Sequence, residues 1–123
     1  MEDHSTTLGE TRVLVFSPHG PLLAAESDAN DFISAAWSHE AEWLVIPTAR
    51  LGPDFLRLST RIAGLVIQKF VNYRLNVAIV GDISTEIAGS DALRDFVHES
   101  NLGPSVWFVP DLAALERGLA VRA

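Results

Sequence analysis

The sequence predicts an α/β protein: a single small sheet of about five strands, mostly parallel with an N-terminal antiparallel hairpin, covered by helices. The first ground is a set of short apolar runs without alternation, Trp43–Ile46 (WLVI), Val77–Val80 (VAIV) and Val106–Val109 (VWFV), as strands buried on both faces require. The second is that apolar residues between these runs recur at helical spacing. The third is the stretch Leu58–Asp82, where a helix start, an amphipathic helix, a short join at Arg74-Leu75, a buried strand and a glycine stop follow without slack. Helix then strand with so short a join is half of a parallel crossover unit.

Taken in order, Met1–Glu10 is polar and reads as a flexible N-terminal arm, leaving residues 11–123 as one domain. Arg12–Phe16 (RVLVF) is the first strand, ended by the turn cluster Ser17-Pro18-His19-Gly20. Pro21–Ala25 reads as the returning strand of the hairpin. Ser27-Asp28 caps a helix over Ala29–His39 that carries Phe32, Ile33, Ala36 and Trp37 on one face. After Pro47, Thr48–Arg57 is a connection with one helical turn at Pro53–Leu56.

Ser59 and Thr60 are the N-cap candidates of the central helix, since a hydroxyl there accepts from the free amides of the first turn. Ile62, Ala63, Val66, Ile67 and Phe70 form its apolar stripe, with Arg61, Gln68, Asn72 and the apolar Leu65 opposite. Gly64 in mid-helix costs about 1 kcal/mol against Ala, which points to a neighbouring backbone that comes close. Ser90-Asp91 caps a helix with Leu93, Phe96 and Val97 inward, and Asp111 caps a last one through Leu112, Leu115 and Leu119. Trp37, Trp43 and Trp107 are most simply core contacts. The element order is then β-β-α-β-α-β-α-β-α.

Composition narrows the function classes. A net charge of −7 opposes a nucleic-acid binder, which needs a basic face, and opposes binding to anionic membrane. Cysteine is absent, so disulfides and thiolate metal sites are excluded. His4, His19, His39 and His98 lack the spacing of a metal pair, and no metal or cofactor is expected. The acidic start is unlike a signal peptide, and no apolar run approaches the roughly 18 residues of a membrane span. The expectation is a cytoplasmic protein. No phosphate loop, nucleophile elbow or dinucleotide fingerprint occurs, and no residue set identifies a reaction.

Ligands of parallel sheets gather beyond the carboxyl ends of the strands. Here those ends are Pro47-Thr48, Gly81-Asp82-Ile83-Ser84 and Pro110-Asp111. Asp82 is either a turn cap or, with Ser84, Arg61 and Ser59, part of a small-molecule site. A lone carboxylate does little chemistry without a partner that shifts its pKa. Gln68 and Asn72 are further candidates for ligand or partner contacts.

Two resemblances add to this reading. The strings Ser59-Thr60-Arg61-Ile62-Ala63-Gly64, Gln68-Lys69-Phe70-Val71-Asn72-Tyr73, Val80-Gly81-Asp82-Ile83-Ser84 and Leu93-Arg94-Asp95-Phe96-Val97-His98-Glu99-Ser100-Asn101 resemble a bacterial family, domain of unknown function 4180. The similarity spans Trp43 to Asp111 and implies no activity; where that family often has an acidic residue after the helix glycine, this chain has Leu65. The element order resembles the STAS domain of sulfate transporters and anti-sigma factor antagonists. In those antagonists a partner kinase phosphorylates a serine at a helix start, within an aspartate-serine-serine-glycine string. The matching positions, Leu58-Ser59-Thr60-Arg61, keep the hydroxyls and lack the aspartate and the glycine.

That resemblance implies a STAS-like, non-catalytic regulatory domain with a protein partner, a kinase or a second copy, and phosphoacceptors at Ser59 or Thr60. The residues alone support a rival: a small-molecule binder or small enzyme with its site around Asp82. A closed apolar pocket with convergent polar groups at the strand ends favours the rival, and a flat, filled surface opposes it.

Overall fold

Residues 3–122, those the computed structural model describes, begin with a tight hairpin. Strand β1 (His4–Leu8) pairs antiparallel with β2 (Thr11–Val15), and Leu8 faces Thr11 across the turn Gly9-Glu10. Gly9 has φ 64°, which suits the glycine-preferring first position of a type II′ hairpin turn. The segment expected as a loose arm thus holds an edge strand, anchored by the buried Leu8; Met1 and Glu2 lie outside the described residues. The hairpin exists, one strand earlier than the sequence led us to place it. Pro21–Ala25 is no strand: Leu23 alone makes a single parallel bridge to Leu51.

The other strands are β3 (Trp43–Pro47), β4 (Asn76–Val80) and β5 (Val106–Val109), in sheet order β1-β2-β3-β4-β5 with β2 to β5 parallel. Helices α1 (Ala29–Ser38), α2 (Ile62–Asn72), the short α3 (Ser84–Ala88) and α4 (Asp91–Leu102) fill the crossovers, and α5 (Leu112–Arg122) follows the last strand. The expected order lacked α3.

Because the parallel strands are laid down side by side in one direction, right-handed crossovers put their helices on one face. The large core forms there: Leu14, Leu44, Ile46, Val77 and Ile79 of the sheet meet Phe32, Ile33, Val66, Phe70, Leu93 and Val97 of the helices. Only α5 covers the opposite face, where Leu115 and Leu119 pack on Val13, Val45, Trp43 and Trp107. The two tryptophans lie 4.8 Å apart between ring centroids, a contact worth roughly 0.5–1.5 kcal/mol beyond its burial. Trp37, expected in the core, is 59% exposed and leans on Tyr73.

The edge at β5 is closed by a side chain. Asn101 Nδ2 donates to the Phe108 carbonyl (3.2 Å) and its Oδ1 accepts from the Phe108 N–H (2.7 Å). A side chain near the end of α4 thus pairs with an edge strand as a neighbouring strand would. No helix among the described residues is long and apolar enough to cross a membrane.

Among the described residues, one with a charged side chain is buried. Arg50, in the 3-10 turn Thr48–Arg50 that leaves β3, is 6% exposed. Its Nε donates to the Pro21 carbonyl (2.8 Å), and its Nη1 to those of Ser17 (3.0 Å) and His19 (3.4 Å). Asp3 lies 4.0 Å from Nη1 and accepts from the Ser17 N–H at 2.7 Å. Phe32 and Phe16 sit beside the guanidinium, 5.1 and 5.9 Å from centroid to Cζ. Gly20 has φ 140° and a Cβ there would lie 2.9 Å from Cζ, so any other residue is strained at this position.

Gly64 disagrees with its expected role, since a Cβ there would meet nothing within 4 Å. Gly64→Ala should therefore stabilise the fold by about 0.5–1 kcal/mol, seen as a higher urea midpoint at unchanged m. Asn101→Ala should cost about 1 kcal/mol and speed amide exchange at Phe108. An unchanged exchange rate would mean that the side-chain pairing does not protect that edge.

Candidate functional site

A cleft of about 800 Å³ opens beyond the carboxyl ends of β3 and β4. Its walls are the connection from Thr48 to Ser59 and the segment from Asp82 to Leu93. Both rise on the same face of the sheet because both belong to right-handed crossovers. Ile83 and Leu93 are buried, Leu56 and Leu58 half-buried, and Arg57, Ser59, Asp82 and Glu86 exposed. The lining thus runs from an apolar base to a polar mouth.

Two local arrangements shape the mouth. Gly81 (φ 148°) ends β4 with the Thr48 side chain against its Cα, in space that any Cβ would claim. Asp82 Oδ1 then accepts from the Ser84 N–H at 2.9 Å, which starts α3. Bonds from the Ser84 hydroxyl and the Ser84 amide hold the Asp82 carboxyl below its ordinary pKa, against a small opposing effect of desolvation.

On the other wall, Leu58–Thr60 is a 3-10 turn and Arg61 stands in the left-handed region (φ 65°) before α2 begins at Ile62. Neither Ser59 nor Thr60 is the N-cap. The Thr60 hydroxyl faces the carbonyls of Arg57 (2.7 Å) and Asp54 (3.1 Å), and the Ile62 N–H is only 3.4 Å from its oxygen. These bonds fold the chain back before the helix. The Ser59 hydroxyl makes no hydrogen bond among the described residues and lines the cleft.

The family model for the domain of unknown function DUF4180 matches residues 8–119. The chain belongs to the DUF4180 family. No curated protein matches the chain, and no solved structure does. The DUF4180 match takes in every wall of the cleft, and of the described residues it leaves out Asp3, most of β1 and the last three residues of α5.

Of the residues singled out in the sequence of this DUF4180 chain, the structure brings Ser59 and Asp82 to one cleft, with Ser84 supporting Asp82. It does not bring Gln68 and Asn72 there. They bond each other at 2.8 Å on the exposed side of α2. Arg61 caps α2, and its guanidinium makes no hydrogen bond or ion pair among the described residues. No histidine reaches Asp82, whose side chain bonds only Ser84. Among the described residues no three histidine, aspartate or glutamate side chains gather closely enough to hold a metal ion.

Sequence reasoning missed Arg57 and Glu86 at the cleft, and Arg50 beside it. Thr48 belongs to the strand end Pro47-Thr48 that the sequence marked as a ligand position, and it lines the cleft. Arg57 and Glu86 carry no such mark, being ordinary polar residues of a turn and a short helix.

A carboxyl with a depressed pKa contributes stability above its unfolded pKa, and that contribution is lost as pH falls through the folded value. Asp82 should follow this pattern, helping to hold α3 at neutral pH and releasing it only in acid. Ser84→Ala should raise the Asp82 pKa toward the ordinary carboxylate value in a carbon-13 NMR titration. An unmoved titration would show that the depression has another source.

Proposed function

We propose that this protein is a non-catalytic binding domain whose strand-end cleft receives a small hydroxyl-bearing molecule. The cleft itself carries this reading. Its volume of about 800 Å³ falls in the range of small-molecule sites, and its apolar base and polar mouth are their usual composition. It opens where ligands of parallel sheets sit, outside the carboxyl ends of the strands. The hydroxyls of Thr48, Ser59, Thr85 and Ser90, with Arg57, Asp82 and Glu86, supply donors and acceptors of both signs.

Binding suits these groups better than catalysis. A general base works best with a pKa near the working pH, whereas Asp82 is exposed and held ionised by Ser84. No second titratable group bonds to it among the described residues. It serves as a fixed acceptor.

Ser59 favours a second reading, phosphoregulation of the same mouth, along the lines of the antagonists that the element order resembles. Its side chain is exposed, its hydroxyl is not engaged, and Arg57 and Arg61 stand two positions to either side. Phosphate there would bring a charge of about −2 to the entrance. Thr60 is the poorer acceptor, because its hydroxyl is committed to the turn.

Native mass spectrometry of the protein recovered from a cell extract reads both. A small-molecule adduct should be present on the wild type and absent from Ala92→Trp, which fills the cleft from an exposed lining position. A matching fragment at a hundred times its Kd should stabilise by about 2.7 kcal/mol. If no adduct forms and no hydroxyl-bearing fragment stabilises the protein, the binding reading falls. Phosphate should be lost in Ser59→Ala and kept in Thr60→Ala; its absence from the wild type removes the second reading.

A further inference from the structure

A smaller pocket, of about 140 Å³, lies at the same end of the sheet between the exit of β2, the start of α1 and Arg50. It shares no lining residue with the strand-end cleft. Its walls include the rings of Phe16 and Phe32, 4.7 Å apart between centroids, together with Leu22 and Ala35. Its volume holds about four or five waters, the bulk of a very small organic molecule.

The charges on this pocket are unevenly spent. Asp28 accepts from the amides of Ala24 and Ala25 (2.9 Å each), and Asp3 serves the Ser17 amide and Arg50. Two groups remain. The Arg50 side chain is 7% exposed, and its Nε and Nη1 are bonded to carbonyls while Nη2 has no partner among the described residues. No fully buried side-chain nitrogen or oxygen in the described residues lacks a partner, so Nη2 is not sealed off, and Arg50 lines the pocket. Asp31 lines the same space, and its carboxylate has no hydrogen bond or ion pair.

Arg50, with an unpartnered Nη2, and Asp31, with an unpartnered carboxylate, therefore line one small cavity without bonding each other. A simple anion would meet Asp31 as well as Nη2, and a simple cation would meet Nη2 as well as Asp31. A molecule with both charges satisfies both groups. We propose that this pocket binds a small amine-carboxylate of the size of glycine, alanine or β-alanine, its carboxylate on Arg50 Nη2 and its ammonium on Asp31. Charge-assisted bonds of this kind are the stronger class of hydrogen bond. The aromatic walls offer one side of the bound molecule an apolar contact, and the volume of about 140 Å³ suits a short molecule.

Calorimetry and saturation-transfer NMR on the full chain test this with glycine, L-alanine and β-alanine, and with acetate and methylammonium as the two halves. At least one amino acid should bind saturably and at least tenfold more tightly than either half. Asp31→Asn, at an exposed position, should weaken it about tenfold, the loss of one charged contact. Ala35→Leu should abolish binding by filling the pocket. Acetate binding as tightly as the amino acids, unaffected by Asp31→Asn, would replace the proposal with an anion site. Methylammonium binding as tightly would replace it with a cation site. No saturation by any of the three amino acids overturns it, and leaves the strand-end cleft untouched because the linings are separate.

Discussion

A guanidinium taken out of water has to find acceptors, and the way Arg50 finds them fixes this end of the molecule. Its Nε and Nη1 collect the carbonyls of Ser17, His19 and Pro21, so the loop after β2 is folded around a side chain from the turn after β3. Leu23 then bonds Arg50 and Gly52 through the backbone, which draws the next segment to the same turn. Removing such a charge leaves three carbonyls without their donor, and removing an acceptor leaves a charge uncompensated; both are costly. Gly20 and the two phenylalanines complete the seat. One residue thus ties the loop after β2 to the turn after β3.

The strand order explains why there is open space above it. Each parallel crossover moves one place along the sheet with the same hand, so successive loops rise on the same side. The connection from β3 to α2 is long and folds back through the Thr60 hydroxyl, whereas β4 passes to α3 through the compact Asp82–Ser84 turn. A long wall facing a short one leaves the cleft between them. The opposite face has a single covering helix and carries none of these residues.

Much of the architecture was legible because burial leaves periodicity in a sequence. The runs at Trp43, Val77 and Val106, the stripe of α2, and the caps at Ser90 and Asp111 are all in place. What escaped was held by contacts between distant residues. The polar β1 carries little strand signal, and only its pairing with β2 and the burial of Leu8 reveal why it is ordered. Arg50 looked like any loop arginine, since its acceptors lie some thirty positions earlier in the chain (|i−j| 29 to 33). The position of the main cleft followed from topology, and its identity as an open space followed only from the unequal loops. Ser59 was found for the wrong local reason: it stands before a left-handed residue rather than at a helix cap.

The amide of Asn101 has a consequence for how copies of this molecule meet. By occupying both polar groups of Phe108 it removes the middle of β5 as a template for strand addition. At the opposite edge β1 is short and mostly polar. Strand addition at β5 would first have to displace that amide, so self-association through helix faces or the loop-bearing end requires less rearrangement than pairing at that edge.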